Sequence, residues 1–338
     1  MEDYNKIKII ISDIDGVWTD GSERMQERPI KILVDALKDL GAEISYYRKE
    51  GYPPLKIRGK KITRSKVTLP ANISSQYISA LMLIATSLED GLTIDLVGEI
   101  TSVPYIKMTK TILDQLGFDT SFKNNKIKIA SATHIEPKIW RVESDWSSAS
   151  YFYSILALSK GGYINLSNFT KESRQGDSAL PEIYKSFGVV TSFDHGTINL
   201  SKLEDFDFAK SINIDLRNTP DLAQTIAVSC LGLGIGCKLS GLHTLKIKET
   251  DRLNALKIEM EKFGAKVDIT SDSLELYPSP QLKNNITIDT YNDHRMAMAF
   301  APLAIKVPLI INDSSVVSKS YPTFWDDLKS IDFLQEMI

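Results

Sequence analysis

The chain has 338 residues, of which 43% are hydrophobic and 25% are charged, and its formal net charge is −3. This length predicts two domains, because single hydrophobic cores stop growing beyond roughly 250–300 residues. The near-neutral charge argues against nucleic-acid binding, and no apolar run reaches the roughly 18 residues of a membrane span. Two cysteines, Cys230 and Cys237, are too few for a disulfide framework or a zinc site, and we expect a cytoplasmic monomer.

The chain opens with an apolar run, "KIKIIISDIDGVWTDG", that contains Asp13 and Asp15. Residues 6–21 resemble the first motif of haloacid-dehalogenase-type phosphatases, in which a buried strand ends in Asp-x-Asp. That resemblance implies a nucleophilic Asp13, a proton-handling Asp15 and a bound magnesium ion. However, that fold needs more than a hundred further residues, and repeated units of another kind occupy the rest of this chain. We therefore interpret residues 1–20 as a foreign segment, from a fusion or a gene-model splice, and disfavour a phosphatase.

One phrase recurs four times along the rest of the chain, and it consists of an amphipathic helix, a glycine and a strand. Its copies are "ALKDLGAEI", "ILDQLGFDT", "EIYKSFGVV" and "EMEKFGAKV". The glycines lie 71 to 76 residues apart, at Gly41, Gly117, Gly188 and Gly264. Glycine suits the left-handed conformation that commonly ends a helix. A fixed period of this kind indicates repeated structural units.

A second phrase keeps the same period, with polar or capping residues followed by an apolar helix. Its copies start near Ser74, Ser147, Pro220 and Asp293, about 73 residues apart. Because these helices are apolar nearly all round, we expect them to be buried. A third, polar phrase precedes the amphipathic helix, as in "TSVPYIKMT", "ESRQGDSAL", "KIKETDRLNAL" and "SKSYPTFWDDL". Each unit is thus predicted as helix, strand, polar turn, helix, strand, strand.

The polar phrases lie at predicted helix N-termini, where unpaired N–H groups and a partial positive charge favour anions. Arg28, Arg252 and Arg295 each begin a predicted helix, and Lys248 and Lys319 lie in equivalent turns. Arginine offers a planar fork that matches carboxylate and phosphate groups. Several such turns facing one cleft would suit a substrate with many anionic groups. The basic segment "RGKKITRSK", in contrast, is interpreted as a solvated hairpin.

Two acids accompany these cations, Asp221 in "NTPDLAQT" and Glu249 in "IKETDRL". An acid surrounded by cations stays ionised, which suits a general base, and a partner acid that gains and loses a proton could protonate carbon. From the residues alone, however, Glu249 and Arg252 are equally typical of an i, i+3 ion pair on a helix surface, and we favour that interpretation.

From about residue 21 to its end the chain resembles the EPSP synthase (3-phosphoshikimate 1-carboxyvinyltransferase) family. The motifs that carry the resemblance are "ERMQERPIKILVDAL", "EGYPPLKI", "SSQYISALML", "SVPYIKMT", "ESDWSSASYFY", "RQGD", "PDLAQT", "KIKETDRL", "YNDHRMAMAF" and "SKSYPTFWDDL". The resemblance implies an α/β fold of two domains, built from β-α-β-α-β-β units with helices inside and sheets outside. It also implies transfer of the enolpyruvyl group of phosphoenolpyruvate to the 5-hydroxyl of shikimate 3-phosphate, without a metal or an organic cofactor.

Carried over position by position, the resemblance implies that Asp221 takes the proton of the 5-hydroxyl and that Glu249 gives a proton to the enol methylene. The residues expected to bind phosphoenolpyruvate are Arg28, Gln76, Arg252, Arg295 and Lys319. Those expected to bind shikimate 3-phosphate are Ser74, Ser75, Gln76, Ser102, Tyr105, Asp221 and Lys248. The chain departs from the family at Thr244, where a longer or different hydrogen-bonding residue is usual, and a weaker contact to shikimate 3-phosphate would follow.

The repeats divide the chain into an N-terminal domain over residues 21–142, with about one and a half units, and a C-terminal domain over residues 143–338, with three. The first unit is then missing, and with it a Lys-Ser-x-Ser-x-Arg phrase of the family, so we expect impaired turnover. Two alternatives stay open: a catalytically inactive remnant that still binds ligand, and the related UDP-N-acetylglucosamine enolpyruvyl transferases. The motifs "KETDR", "DHRMAM" and "SSQ" disfavour the second, and both cysteines lie in an apolar region that is typical of core.

Overall fold

The computed structural model describes residues 26, 28–72, 74–131, 138–279, 281–331 and 333. The described residues up to Arg141 form one compact unit, here called unit 1, and those from Val142 onward form unit 2. Each unit has its own hydrophobic core. The phosphatase-like aspartates, Asp13 and Asp15, lie outside the described residues.

Unit 1 contains three α-helices and six strands in its described part. The helices are α1 (Lys31–Asp39), α2 (Ser75–Ala85) and α3 (Val103–Gln115). The strands are β1 (Glu43–Tyr46), β2 (Leu55–Arg58), β3 (Lys66–Pro70), β4 (Leu92–Val97), β5 (Thr120–Lys123) and β6 (Lys126–Ile129). Strands β1 and β2 form an antiparallel pair, and the other four form a sheet in the order β3-β4-β6-β5.

Unit 2 contains six α-helices and nine strands in its described part. The helices are α4 (Trp146–Leu158), α5 (Leu180–Lys185), α6 (Ala223–Leu233), α7 (Arg252–Lys262), α8 (His294–Phe300) and α9 (Phe324–Ser330). The strands are β7 (Tyr163–Ser167), β8 (Val189–Asp194), β9 (Thr197–Lys202), β10 (Ser211–Asp215), β11 (Gly236–Ser240), β12 (Val267–Ile269), β13 (Leu274–Leu276), β14 (Ile286–Ile288) and β15 (Leu309–Ile311). They form three sheets, β7-β9-β8, β10-β11-β13-β12 and β14-β15.

The predicted repeat appears directly in the sheet topology. In unit 1, β3 and β4 are parallel and are joined through α2, and α3 then leads to the antiparallel hairpin β5–β6. In unit 2, β10 and β11 are parallel and are joined through α6, and α7 leads to the hairpin β12–β13. The two four-stranded sheets therefore share one strand order and one mixture of parallel and antiparallel pairs. A mixed α/β fold of β-α-β-α-β-β units, which the sequence predicted, is confirmed.

The helices that the sequence predicted to be buried differ between the two units. In α4 every residue except Ser148 is buried, and in α6 residues 223–231 are buried without a break. The equivalent helix of unit 1, α2, buries Ile78 and Leu81 but leaves the side chain of Leu83 53% exposed. An all-round apolar helix is thus covered on every side in unit 2, whereas in α2 the described residues leave Leu83 uncovered.

The four periodic glycines all have positive φ angles, as their positions after helices predicted: Gly41 at 106°, Gly117 at 96°, Gly188 at 70° and Gly264 at 92°. Gly188 carries a second constraint, because a Cβ atom there would lie 2.8 Å from the ring of Phe206. Glycine is therefore needed at this position for both backbone conformation and packing.

One local prediction is wrong. The basic segment "RGKKITRSK" is not a hairpin, because it leaves β2 in the two-stranded sheet and enters β3 in the four-stranded sheet. Its cations are used singly: Lys61 pairs with Glu89, and Arg64 Nη1 donates to the carbonyl oxygen of Asp39. A run of polar residues indicates solvent exposure, but it does not reveal which strands the segment connects. Across the described ranges, the helices are also too short or too polar to span a lipid bilayer.

Candidate active site

The candidate residues of unit 2 follow the carboxyl ends of paired parallel strands. Asp221 follows β10, and Lys248 and Glu249 follow its parallel neighbour β11. In the parallel pair β14–β15, Arg295 follows β14 and Lys319 follows β15. The carboxyl ends of parallel strands meet at one edge of a sheet, which is a common location for ligand sites in α/β proteins.

Arg252, the first residue of α7, joins three of these turns. Its Nε lies 2.7 Å from Asp293 Oδ2, its Nη1 lies 2.8 Å from Asp221 Oδ1, and its Nη2 lies 2.6 Å from Glu249 Oε2. The Arg252 side chain is only 2% exposed. The Glu249–Arg252 pair is therefore not the surface pair that the residues alone suggested, because partners 31 and 41 residues away enclose the guanidinium.

Three further cations surround the same acids at longer distances. Arg295 Nη2 lies 3.4 Å from Asp221 Oδ2, Lys248 Nζ lies 3.5 Å from Asp221 Oδ1, and Lys319 Nζ lies 3.5 Å from Glu249 Oε1. Their side chains are 15% to 23% exposed, in contrast to the fully enclosed Arg252. These three cations therefore retain a solvent-facing side with which an anionic ligand could interact.

The charges of the cluster determine which groups stay ionised. Burial alone would raise the pKa of Asp221, but the charges of Lys248, Arg295 and Arg252 outweigh it and hold that pKa well below its usual range. His294, beside the cluster, has its pKa lowered to about 4 by burial and by the charge of Arg295. Near neutral pH the cluster thus contains an ionised Asp221 and an uncharged imidazole.

Asp293 belongs to this cluster although the sequence analysis gave it no role. It caps α8, with its Oδ1 accepting from the backbone N–H of Arg295 at 2.9 Å, and its other oxygen accepts from Arg252. The side chain is fully buried. The signal was present in "YNDHRMAMAF", where an aspartate precedes an apolar helix, but a cap residue and a charge partner look alike in sequence.

Asp177 is the second residue that sequence reasoning missed, although its "RQGD" motif was noted. It lies in the 3₁₀ turn Gly176–Ala179, fully buried, and its Oδ2 accepts a short hydrogen bond from Ser147 Oγ at the start of α4. Its Oδ1 has no hydrogen-bond partner among the described residues. Burial, assisted by the charge of Asp221, raises the pKa of Asp177 to about 6.

The remaining candidates lie in unit 1, again at the carboxyl ends of parallel strands. Ser74 precedes α2 after β3, and Ser102 precedes α3 after β4, while Pro70 and Val97 are paired at the ends of those strands. Ser74 Oγ accepts from the backbone N–H of Gln76 at 3.4 Å, and Ser102 adopts a left-handed φ of 53°.

Arg28 and Tyr105 also approach these helices. Burial raises the pKa of Tyr77, and the charge of Arg28 opposes this effect in part. Arg28 therefore lies near Tyr77, in the first turn of α2. Tyr77 also donates a short hydrogen bond to the carbonyl oxygen of Pro29. Tyr105 lies in the first turn of α3. Packing between α2 and α3 includes a 2.8 Å hydrogen bond that joins their hydroxyl groups, Ser79 Oγ and Thr109 Oγ1.

Thr244 and the cysteines can also be placed. Thr244, the departure from the family pattern, is buried, and its hydroxyl lacks a hydrogen-bond partner within the described part of the chain. Cys230 and Cys237 are both free and buried in the core of unit 2, where the sequence analysis expected them.

Solved structures with the same fold support this arrangement. Two structures of EPSP synthase from Acinetobacter baumannii superpose with TM-scores of 0.70 and 0.68, at 21% and 20% sequence identity. Each covers 90% of this chain, and this chain covers 71% of each. The enolpyruvyl transferase fold is thus confirmed.

Sequence comparisons give the family. The family model for EPSP synthase (3-phosphoshikimate 1-carboxyvinyltransferase) matches residues 14–328. A 3-phosphoshikimate 1-carboxyvinyltransferase from Bacteroides fragilis strain YCH46 is 44% identical over 96% of this chain and 79% of its own length. A relative of that name from Sulfurovum sp. strain NBC37-1 is 38% identical over 92% of this chain and 72% of its own length. The chain therefore belongs to the EPSP synthase family, as the sequence motifs predicted.

The foreign origin of residues 1–20 and the impaired turnover of the chain both remain predictions. The family match begins at residue 14, within the segment 1–20 that the sequence analysis interpreted as foreign. The chain covers 72% to 79% of the length of these relatives, and impaired turnover stays a prediction.

Proposed function

We propose that this chain transfers the enolpyruvyl group of phosphoenolpyruvate to the 5-hydroxyl of shikimate 3-phosphate and releases phosphate. The observation that supports this most directly is the Arg252 cluster. Two acids suited to proton transfer, Asp221 and Glu249, are held by one buried arginine, and Arg295, Lys248 and Lys319 are partly exposed around them. Both substrates are multiply charged anions, and a convergent cationic site offsets their mutual repulsion and holds them together.

The two acids have different tasks in the proposed reaction. Asp221, kept ionised by its three cationic neighbours, takes the proton of the 5-hydroxyl while that oxygen attacks C2 of phosphoenolpyruvate. Glu249, after taking up a proton from solvent, gives it to the methylene carbon, and a tetrahedral intermediate forms. The Glu249 carboxylate then takes a proton back from that methyl group, phosphate departs, and the enol ether forms on the new oxygen. Lys319, 3.5 Å from Glu249, is placed to stabilise the carboxylate that remains after its proton has left.

The binding roles are assigned by the same proposal. Phosphoenolpyruvate is bound by Arg28, Gln76, Arg252, Arg295 and Lys319. Shikimate 3-phosphate is bound by Ser74, Ser75, Gln76, Ser102, Tyr105, Asp221 and Lys248. Because three carboxylates already enclose Arg252, its direct contact with phosphoenolpyruvate requires that one of them turn away. Arg295 and Lys319 have no such requirement, since each contacts an acid only at 3.4 to 3.5 Å.

The decisive experiment measures phosphate release from phosphoenolpyruvate with and without shikimate 3-phosphate. It compares Asp221→Asn with Asp268→Asn, which changes an exposed acid of β12. Loss of a general base typically lowers the rate by about 10² to 10⁴. We expect that loss for Asp221→Asn and no change for Asp268→Asn. Equal rates for the two variants, or release that does not depend on shikimate 3-phosphate, would contradict the proposal.

Calorimetry with shikimate 3-phosphate tests binding independently of turnover. Heat of binding without measurable phosphate release would identify a chain that binds ligand but does not catalyse, which is the remnant alternative. Tighter binding of UDP-N-acetylglucosamine than of shikimate 3-phosphate would contradict the substrate assignment. A monomeric state and a cytoplasmic location remain further proposals from the sequence.

A further inference from the structure

A cationic cavity lies in unit 2, at the C-terminal ends of α4 and α6 and beside the 3₁₀ turn that follows α8. It has a volume of about 360 Å³ and is lined by Lys160, Lys202, Lys306, Phe206, Phe208 and Leu233, with smaller contributions from neighbouring residues. Lys160 follows the end of α4, Leu233 ends α6, and Lys306 follows α8 and the 3₁₀ turn Ala301–Ile305. The N-termini of the same helices carry or adjoin Asp145, Asp221 and Asp293.

The three lysines of this cavity repel one another. The pKa of Lys202 is lowered to about 8, mainly by burial and further by the charge of Lys306. The pKa of Lys306 is lowered by burial and by the charge of Lys160. Each ammonium group is therefore close enough to the next to disfavour its charged form.

The described residues do not neutralise this positive charge. Lys202 Nζ is held in place by two backbone carbonyl oxygens, those of Ala157 at 2.9 Å and Phe187 at 2.6 Å. Within the described ranges, neither Lys160 nor Lys306 forms an ion pair, and Glu204, the one acid in the lining, is not paired with any of the three lysines. Lys202 thus has a structural task, whereas Lys160 and Lys306 present unpaired ammonium groups beside it.

The other wall of the cavity is aromatic. The rings of Phe206 and Phe208 lie 5.2 Å apart at an interplanar angle of 68°, and Lys202 Nζ lies 4.8 Å from the centroid of Phe208. Phe206 is fixed from behind, since it packs against the backbone at Gly188. A volume of 360 Å³ falls within the range of small-molecule sites, which combine apolar walls with a few convergent polar groups.

We propose that this cavity binds a small organic anion with a flat apolar body, of the aromatic carboxylate class. The carboxylate lies between the ammonium groups of Lys160 and Lys306, and the apolar body lies against Phe206. A ligand of this class relieves the repulsion between the lysines and covers the partly buried aromatic wall. An inorganic anion would do only the first of these.

Isothermal titration calorimetry of the full chain with 2-naphthoate, 2-naphthalenemethanol and inorganic phosphate tests the proposal. We expect 2-naphthoate to bind at one site. The uncharged alcohol should bind at least about tenfold more weakly, since two partly exposed ion pairs together supply about that factor. Phosphate should also bind more weakly than 2-naphthoate, because it lacks the apolar body that lies against Phe206. The double variant Lys160→Gln/Lys306→Gln should lose about tenfold in affinity for 2-naphthoate. The control Lys238→Gln removes an exposed lysine of β11 and should leave the affinity unchanged.

Four results would overturn the proposal. Equal affinity for 2-naphthoate and the alcohol would show that the carboxylate charge is not recognised. Equal affinity for 2-naphthoate and phosphate would show that the apolar body is not recognised. Naphthoate binding that the double variant retains would place the ligand elsewhere, for instance in the Arg252 cluster. Absence of binding together with a lowered melting temperature of the double variant would mean that the lysines only complement the C-terminal ends of the helices.

Discussion

Replacing Arg252 by alanine should strongly destabilise unit 2, because it removes the cation that three carboxylates share. The effect on each acid differs. Asp221 retains Lys248 and Arg295, and Glu249 retains Lys319. Asp293 is fully buried and loses its 2.7 Å ion pair. Leaving one buried charge without its partner costs about 3–5 kcal/mol.

Urea unfolding followed by tryptophan fluorescence measures this loss, and two of the four tryptophans, Trp146 and Trp325, lie in unit 2. Glu261→Ala is the matched control, since it removes the partly exposed i, i+4 ion pair with Lys257 from the same helix and should cost only about 0.2–0.5 kcal/mol. The double variant Arg252→Ala/Asp293→Asn should be less destabilised than the sum of the two single variants, with a coupling of about 1–3 kcal/mol. A cost below about 1 kcal/mol for Arg252→Ala, or strictly additive single effects, would refute the reasoning.

Three further predictions concern ligand binding, pH and packing. Arg295→Ala should weaken phosphoenolpyruvate binding in calorimetry by about tenfold or more, because a charged hydrogen-bond partner contributes about 1.5–3 kcal/mol. Lys60→Ala, the control, should change the affinity little. Equal losses of affinity in the two variants would exclude a convergent role for Arg295. The pKa of Asp177 rises from 3.8 to about 6 on folding, so between these pH values the folded chain binds more protons than the unfolded chain. The free energy of unfolding should therefore fall relative to Asp177→Asn by about 3 kcal/mol as the pH rises from 4 to beyond 6. A pH-independent difference between the two proteins in urea unfolding would contradict this. Gly188→Ala should lower the free energy of unfolding by about 1–3 kcal/mol more than Gly196→Ala in thermal unfolding. Both positions have positive φ, but only at Gly188 would the new Cβ atom clash with a neighbouring ring, that of Phe206. Similar losses for the two variants would mean that the ring moves aside.

The sequence by itself determined the features that depend on local physics. About ten consecutive residues are enough to show a helical period and the glycine that ends the helix. The repeat was therefore predictable from the spacing of Gly41, Gly117, Gly188 and Gly264. The burial of α4 followed from the same reasoning, because a helix that is apolar on every side is stable only when it is covered. The family followed from motifs such as "KETDR" and "DHRMAM", whose residue types are specific even without coordinates.

Tertiary structure alone decided how the charged residues are used. Glu249 and Arg252 are three residues apart in the sequence, and only the approach of Asp221 and Asp293 from other turns makes that pair buried rather than superficial. The raised pKa of Asp177 depends on the same kind of assembly, because its burial and the nearby charge of Asp221 come from segments distant in sequence. Desolvation and Coulomb energy depend on distances through space, and parallel strands set those distances by bringing their carboxyl-end turns to one edge of each sheet.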